Sequence, residues 1–331
     1  MKIENDENYI KLVEGMIKPA AISELLFYQR FTKIIPRPVF KKLLLDISKK
    51  NPRMGFVIEP YSLFLFFKLK DIEKAKSMLP DRYELVKAKI FADSAPDYFY
   101  GTGIFNARAT TFWGTRQESY LVARDRETGL LSWIFIDVLS NTIIAMPSKG
   151  IADPNSTQAF FTTDSKGGIF LDFKEDRTDR QLALKGTIVN GKARALDQDL
   201  WLLGNTSIAH CKDMMGRDDN PFAVVFDPAE VATALDIPVK DIRITANTLF
   251  PDLMEQDLAT VLCFPYAQHY IADSPGCRTY VKDRKDMIVK YNGLSKQKEM
   301  KTFTPKIIEK QLLAGISIFI VIVLLLHIFV F

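Results

Sequence analysis

Residues 62–80 read SLFLFFKLKDIEKAKSMLP, and the texture changes halfway along. The aromatic-rich run SLFLFFKL has the composition of a β-strand. Asp71 to Pro80 then reads as one short helix, closed by a proline that cannot continue it.

Downstream of this stretch strands dominate. YELVKAKIFA, YFYGTGIFNA, SYLVARD, LSWIFIDV, NTIIAM, TQAFFTTD, GIFLDF, QLALKGTIV, FAVVF and DIRITANT are rich in β-branched and aromatic residues. Turn signals separate them. Asn190-Gly191, between ALKGTIV and KARAL, predicts a two-residue hairpin, while Glu127-Thr128-Gly129 and Ser165-Lys166-Gly167-Gly168 predict slightly longer loops. Further short helices are expected near Asp197–Cys211 and Asp252–Leu262. Many closely spaced antiparallel strands with few helices predict an α+β, mainly β fold, a large barrel or sandwich.

Upstream, residues 8–53 look helical, with apolar positions at helical spacing in YIKLVEGMIK and AISELLFYQRFTKI and a break at Pro36 and Pro38. Arg30–Arg53 mixes apolar residues with eight bases, which suits either a membrane-surface helix or an amphipathic helix packed on the body with its lysines outward. The expected organisation is a helical segment over 1–58, a β domain over 59–281, a basic linker over 282–311 and an apolar helix over 312–331.

The chain of 331 residues has a formal net charge of +4, and 47% of its residues are hydrophobic, enough for a sizeable core. Charge is unevenly spread: residues 30–53 carry a net +7 and 282–331 a net +5, against −6 over 54–281. An acidic body argues against a nucleic-acid partner, which needs its basic stripe on the folded domain. Lys and Arg beside an apolar span suit an anionic membrane leaflet.

From Leu312 the chain reads LLAGISIFIVIVLLLHIFVF, without a formal charge. Twenty helical residues reach about 30 Å, the thickness of a hydrocarbon core. A C-terminal, single-pass, tail-anchored transmembrane helix is therefore expected. Lys296, Lys298, Lys301, Lys306 and Lys310 before it place the main domain in the cytosol by the positive-inside bias. The acidic, polar N-terminus lacks the basic start and apolar run of a secretory signal.

Cys211, Cys263 and Cys277 form no CxxC pair, and His210, His269 and His327 have no ligand spacing, so neither a metal site nor a disulfide framework is expected. Gly101-Thr-Gly103 starts like a dinucleotide fingerprint, but Asn106 breaks it and no βαβ unit surrounds it; a strand with two glycines, where backbones approach closely, accounts for it better. No phosphate loop, nucleophile elbow or zinc-protease histidine pair is present, and no cofactor is implied.

From about Tyr61 to Ser274 the chain resembles the acetoacetate decarboxylase-like family. The resemblance rests on FLFFKLKDIEKAKSMLP, on Thr115-Arg116-Gln117-Glu118-Ser119 with the following hairpin, on LSWIFIDV, and on Met146-Pro147-Ser148-Lys149-Gly150. In the decarboxylases the last motif has an aromatic residue, proline and two adjacent lysines, the first forming a Schiff base with the substrate. Here Ser148 stands in the nucleophile's place and Lys149 in that of the neighbouring cation. The resemblance implies Lys149 as amine, Glu118 as acid and base in a site apolar enough to raise its pKa, and Arg116 as the holder of a substrate carboxylate. No equivalent of the family's second acid is found in Gly103–Asn106. Surface roles for all three residues stay open: a turn lysine before glycine, and an Arg116–Glu118 surface pair.

Two functions follow. One is a lyase or decarboxylase acting on a keto acid through a Lys149 Schiff base. The other is a non-catalytic barrel whose interior, fed by Phe64, Phe66, Phe105, Trp113 and Trp133, holds a hydrophobic small molecule or lipid at a membrane, with Arg116, Trp133 and Phe105 as ligand contacts. A scaffold that only recruits partners is a third, and a homo-oligomer is compatible with each.

Overall fold

The computed structural model describes residues 7–17, 52–110, 113–142, 144–146, 150–156, 158–210, 221–274, 277–297 and 305–330, with 36, 38, 39, 42 and 46. Helix α1 (Glu7–Met16) buries Tyr9, Leu12, Val13 and Met16, a stripe at helical spacing. Strand β1 (Arg53–Ile58) lies upstream of where strands were expected, and β2 (Ser62–Leu69) follows it. In helix α2 (Ile72–Met78) the Asp71 carboxylate accepts the Lys74 N–H at 2.9 Å, an N-cap in the expected place.

Next come β3 (Tyr83–Leu85), the long β4 (Phe99–Ala109) and β5 (Trp113–Asp125), and β6 (Leu131–Ser140). The short β7 (Ile144–Met146) and β8 (Gly150–Ala152) pair with each other. Then follow β9 (Gln158–Thr163), β10 (Gly168–Lys174), β11 (Gln181–Thr187) and β12 (Lys192–Ala195). After a helical turn over Asp199–Leu203 come β13 (Ala209–His210), β14 (Val224–Phe226), β15 (Thr233–Ile237), β16 (Ile242–Asn247), β17 (Met254–Phe264) and β18 (Gln268–Asp273). Helices α3 (Arg284–Ser295) and α4 (Pro305–Val330) close the sequence of elements.

Twelve strands form one sheet in the order β12-β15-β17-β2-β4-β1-β18-β14, with β4 also pairing β5, and β5 and β6 carrying β3 and β13. A second sheet has the order β16-β11-β10-β9. Strand alternation divides the core into two. Leu63, Leu65 and Phe67 of β2 pack with Leu171 and Phe173 of β10 and Leu182 and Leu184 of β11, so one face of the large sheet is covered by the small one. Phe66 points the other way, into a cluster that includes α1, α3 and the aromatic residues of β4–β6, with Phe64 packed against it.

Four expectations are corrected here. A closed barrel is not formed: β12 and β14 end the large sheet without pairing each other, and among the described residues no sheet closes. Asp252–Leu262 is not a helix but most of β17, because pairing with β2 and β15 outweighs its helix-forming residues. Asn190-Gly191 makes no hairpin between β11 and β12. Instead β12 pairs β15 while β11 lies between β10 and β16. By contrast, Gly129 and Gly167 sit at φ +72° and +81° in the β5–β6 and β9–β10 turns, the left-handed conformation that glycine tolerates.

The fourth correction concerns the apolar tail. Among the described residues no helix is long and apolar enough to cross a membrane. The transmembrane helix, the tail-anchored single-pass topology and the cytosol-facing membrane placement are withdrawn with it.

Candidate functional site

Strand β5 positions the site by simple alternation. Arg116, Glu118 and Tyr120 fall on one face, while Gln117, Ser119 and Leu121 fall on the other. Register then supplies the neighbours: Phe105 of β4 lies opposite Arg116, Gly103 opposite Glu118, and Phe135 of β6 opposite Tyr120. Gly103 is needed there, because a Cβ would lie 2.6 Å from Cε1 of Phe64, whose ring crosses that position. At both glycines it is a ring and not a backbone that comes close, since a Cβ on Gly101 would meet Phe66 at 2.9 Å.

These residues line a cavity of about 120 Å³ with an aromatic wall. Trp133 and Trp201 meet edge-on at 5.4 Å, Tyr120 packs on Trp133 and on Phe135 at 5.4 Å each, and Phe64 meets Trp201 at 5.0 Å. The indoles are fixed from behind: Trp133 Nε1 donates to the Leu200 carbonyl at 3.2 Å and Trp201 Nε1 to that of Ile90 at 2.9 Å. Phe56 of β1, Val224 and Phe226 of β14, and Tyr270 of β18 form the opposite side.

At the polar end Arg116 and Glu118, 7% and 9% exposed, make a closed pair. Arg116 donates from Nε at 2.6 Å and from Nη2 at 2.5 Å, both to Glu118 Oε1, and the Tyr120 hydroxyl donates to Oε2. Burial, then the Glu118 charge, then that hydrogen bond push the Tyr120 phenol far above its ordinary range. Tyr270 is raised by burial and by Glu118, with Arg116 opposing. Both phenols are therefore neutral hydrogen-bonding groups, not nucleophiles.

Two other ionisable residues line the cavity. Asp273 is spent on its own loop, accepting from the N–H of Ala223 at 3.0 Å, the N–H of Thr279 at 2.6 Å and the Thr279 hydroxyl at 2.5 Å. His210 contacts the rings of Phe135 and Phe222 at 5.6 and 5.8 Å.

The wall of β1, β18 and β14 has a back as well as a front. Met54, Phe56 and Ile58 face the cavity, whereas a Cβ on Gly55 would lie 2.8 Å from Met16 Cβ, so α1 lies against the outer face. There the Tyr9 hydroxyl donates to the Val225 carbonyl and accepts from the Ile271 N–H at 3.3 Å. His269 stands between two carboxylates, Nδ1 at 2.8 Å from Glu230 Oε1 and Nε2 at 3.2 Å from Glu14 Oε1. Burial lowers its pKa, but the bonds to Glu230 and Glu14 outweigh this and raise it above 6.5.

Of the residues expected in the site, Arg116, Glu118, Phe105 and Trp133 meet in this cavity. Lys149 lies outside the described residues, as do Pro147, Ser148 and Cys211. Among the described residues lining the cavity there is no lysine. Trp113, expected inside, is 48% exposed, and Phe66 is buried behind the lining. Tyr120, Phe135, Trp201, His210 and Tyr270 were missed. Tyr120 was within reach, because it continues the i, i+2 series of Arg116 and Glu118; the rest arrive through long-range pairing.

No protein-family model matches the chain, and no curated protein matches it. It is similar to the crystal structure of acetoacetate decarboxylase from Legionella pneumophila subsp. pneumophila str. Philadelphia 1, with 11% identity over 68% of this chain and 87% of that one and a TM-score of 0.38. It is also similar to a structure from structural studies of acetoacetate decarboxylase, with 9% identity over 68% of this chain and 88% of that one, again at 0.38. A likeness at that score carries no inference about fold, reaction or substrate.

Proposed function

We propose that this protein binds a small, mainly apolar molecule in the aromatic cavity, with the Arg116–Glu118–Tyr120 cluster meeting its one polar group. The observation that carries the reading is a buried aromatic enclosure that ends in a satisfied polar cluster, the usual anatomy of a ligand site. A volume of about 120 Å³ suits a single ring, since apolar cavities of about 150 Å³ accept benzene. Burying about 150 Å² of apolar ligand surface gives roughly 4 kcal/mol, a Kd near 1 mM, and one good hydrogen bond brings it to about 0.1 mM.

Calorimetric titration of the full chain with single-ring compounds tests this. Saturable binding at about 0.1–1 mM is expected in the wild type, and its loss is expected in Ala272→Met, which fills the cavity from β18. Binding that survives Ala272→Met unchanged removes the cavity as the site.

A second reading, a lyase acting on a keto acid, is favoured by one observation. Arg116 and Glu118, to which the family resemblance assigns carboxylate holding and acid–base work, fall side by side on the cavity wall. Its amine would be Lys149. Borohydride trapping with keto acids, followed by mass spectrometry, is expected to give an adduct at Lys149 that Lys149→Ala abolishes; absence of an adduct with every keto acid tried removes this reading.

A further inference from the structure

We infer that the ligand of this cavity is electrically neutral, a phenol or alcohol about the size of one aromatic ring, held by a single hydrogen bond at Glu118 and Tyr120. This rests on the cavity being a ligand site. The charge balance of the polar end decides the class.

Arg116 and Glu118 are both buried and neutralise each other. Oε1 of Glu118 already accepts two guanidinium N–H groups, and Oε2 accepts the Tyr120 hydroxyl. A carboxylate has about four acceptor positions, so Oε2 retains room for one more donor, and the Tyr120 oxygen can itself accept. A hydroxyl of the ligand fits the first, donating to Oε2, whereas a carbonyl, which only accepts, cannot use it.

An anion has no such place. Either it displaces Glu118 from Arg116, which strands a buried carboxylate, or it adds negative charge beside Glu118 and Asp273. A cation meets Glu118 only by competing with Arg116 and strands the guanidinium instead. The same balance weighs against the keto-acid reading, because a keto acid must bring its carboxylate into this pair.

Four single-ring probes on the full chain test the inference: phenol, benzoate, benzylammonium and benzene, each titrated by calorimetry. Phenol is expected to bind at least about tenfold more tightly than benzoate and benzylammonium, and about threefold or more tighter than benzene, which lacks the hydrogen bond. Glu118→Gln removes the negative charge beside Arg116 and is expected to raise benzoate affinity at least about tenfold while changing benzene little. If Glu118→Gln does not fold, the wild-type ranking decides alone. Benzoate or benzylammonium binding as tightly as phenol overturns the neutral-ligand inference and leaves the ligand site standing. Silence from all four probes overturns the site and the inference together.

Discussion

The two faces of strand β5 are built from the same alternating sequence and reach opposite ends. On the packed face Gln117 Nε2 donates to the Thr102 hydroxyl at 2.6 Å and to the Ser119 hydroxyl at 2.8 Å, and Ser119 shares a 2.5 Å bond with Tyr100. That network is neutral and lies among Leu63, Leu65, Phe67 and the small sheet. On the other face Arg116, Glu118 and Tyr120 form a charged network beside a cavity. Tight packing spends its polar groups on holding strands together, whereas the open face concentrates charge where a small molecule can reach it. On the proposed reading, the packed face holds the fold and the open face meets the ligand.

The sharpest way to break this division is to remove one charge. Glu118→Ala takes the carboxylate away from a buried guanidinium and is expected to cost about 4 kcal/mol of unfolding free energy, whereas Arg116→Met with Glu118→Leu is expected to recover to within about 1 kcal/mol of wild type and to weaken phenol binding about threefold or more, toward that of benzene. Chemical denaturation with parallel titrations checks both. A double variant as unstable as the single one would mean that the pair holds the fold rather than the ligand.

Leu65→Ala, fully buried on the packed face, is expected to cost about 3 kcal/mol and leave ligand affinity within about twofold of wild type. Gly103→Ala acts on the opposite face. Its methyl must push the Phe64 ring toward the cavity, with an expected loss of about 2 kcal/mol and a larger proportional loss of binding. If both substitutions weaken binding equally, the two faces are not independent.

The smallest effect is a pH dependence behind the cavity wall. His269 is raised above its ordinary 6.5 by Glu230 and Glu14, so its contribution is fully present below the unfolded value and is lost as pH rises through the folded one. Denaturation midpoints are expected to fall between pH 6 and 9 in the wild type, and this fall is expected to shrink in His269→Gln. An unchanged pH profile in the variant would show that the link from α1 through Glu14 contributes nothing measurable.

Local chemistry explains what could be read in the sequence. Asp71 as a cap, Pro80 as a stop, and glycines at 129 and 167 act within a few residues, so α2 and two hairpins were legible. Arg116 and Glu118 were singled out by the family resemblance, and Phe105 and Trp133 as aromatic residues of strands; register between neighbouring strands then sets Phe105 opposite Arg116. Helix-forming residues in β17 and the turn dipeptide Asn190-Gly191 misled because partners distant in sequence decide their state. Barrel closure was illegible for a related reason: whether β12 meets β14 is a property of the whole sheet and leaves no mark in any one segment. Tyr270, Trp201 and His210 enter the site through the same long-range assembly.

The central claim is that a small molecule occupies the cavity that Trp133 and Trp201 line. The chain has three tryptophans, and the exposed Trp113 is an internal control. In a heteronuclear NMR titration with phenol, saturable shifts are expected in the indole N–H resonances of Trp133 and Trp201, with Trp113 unmoved. Equal movement of all three, or none in the two cavity indoles at several millimolar phenol, would contradict the account.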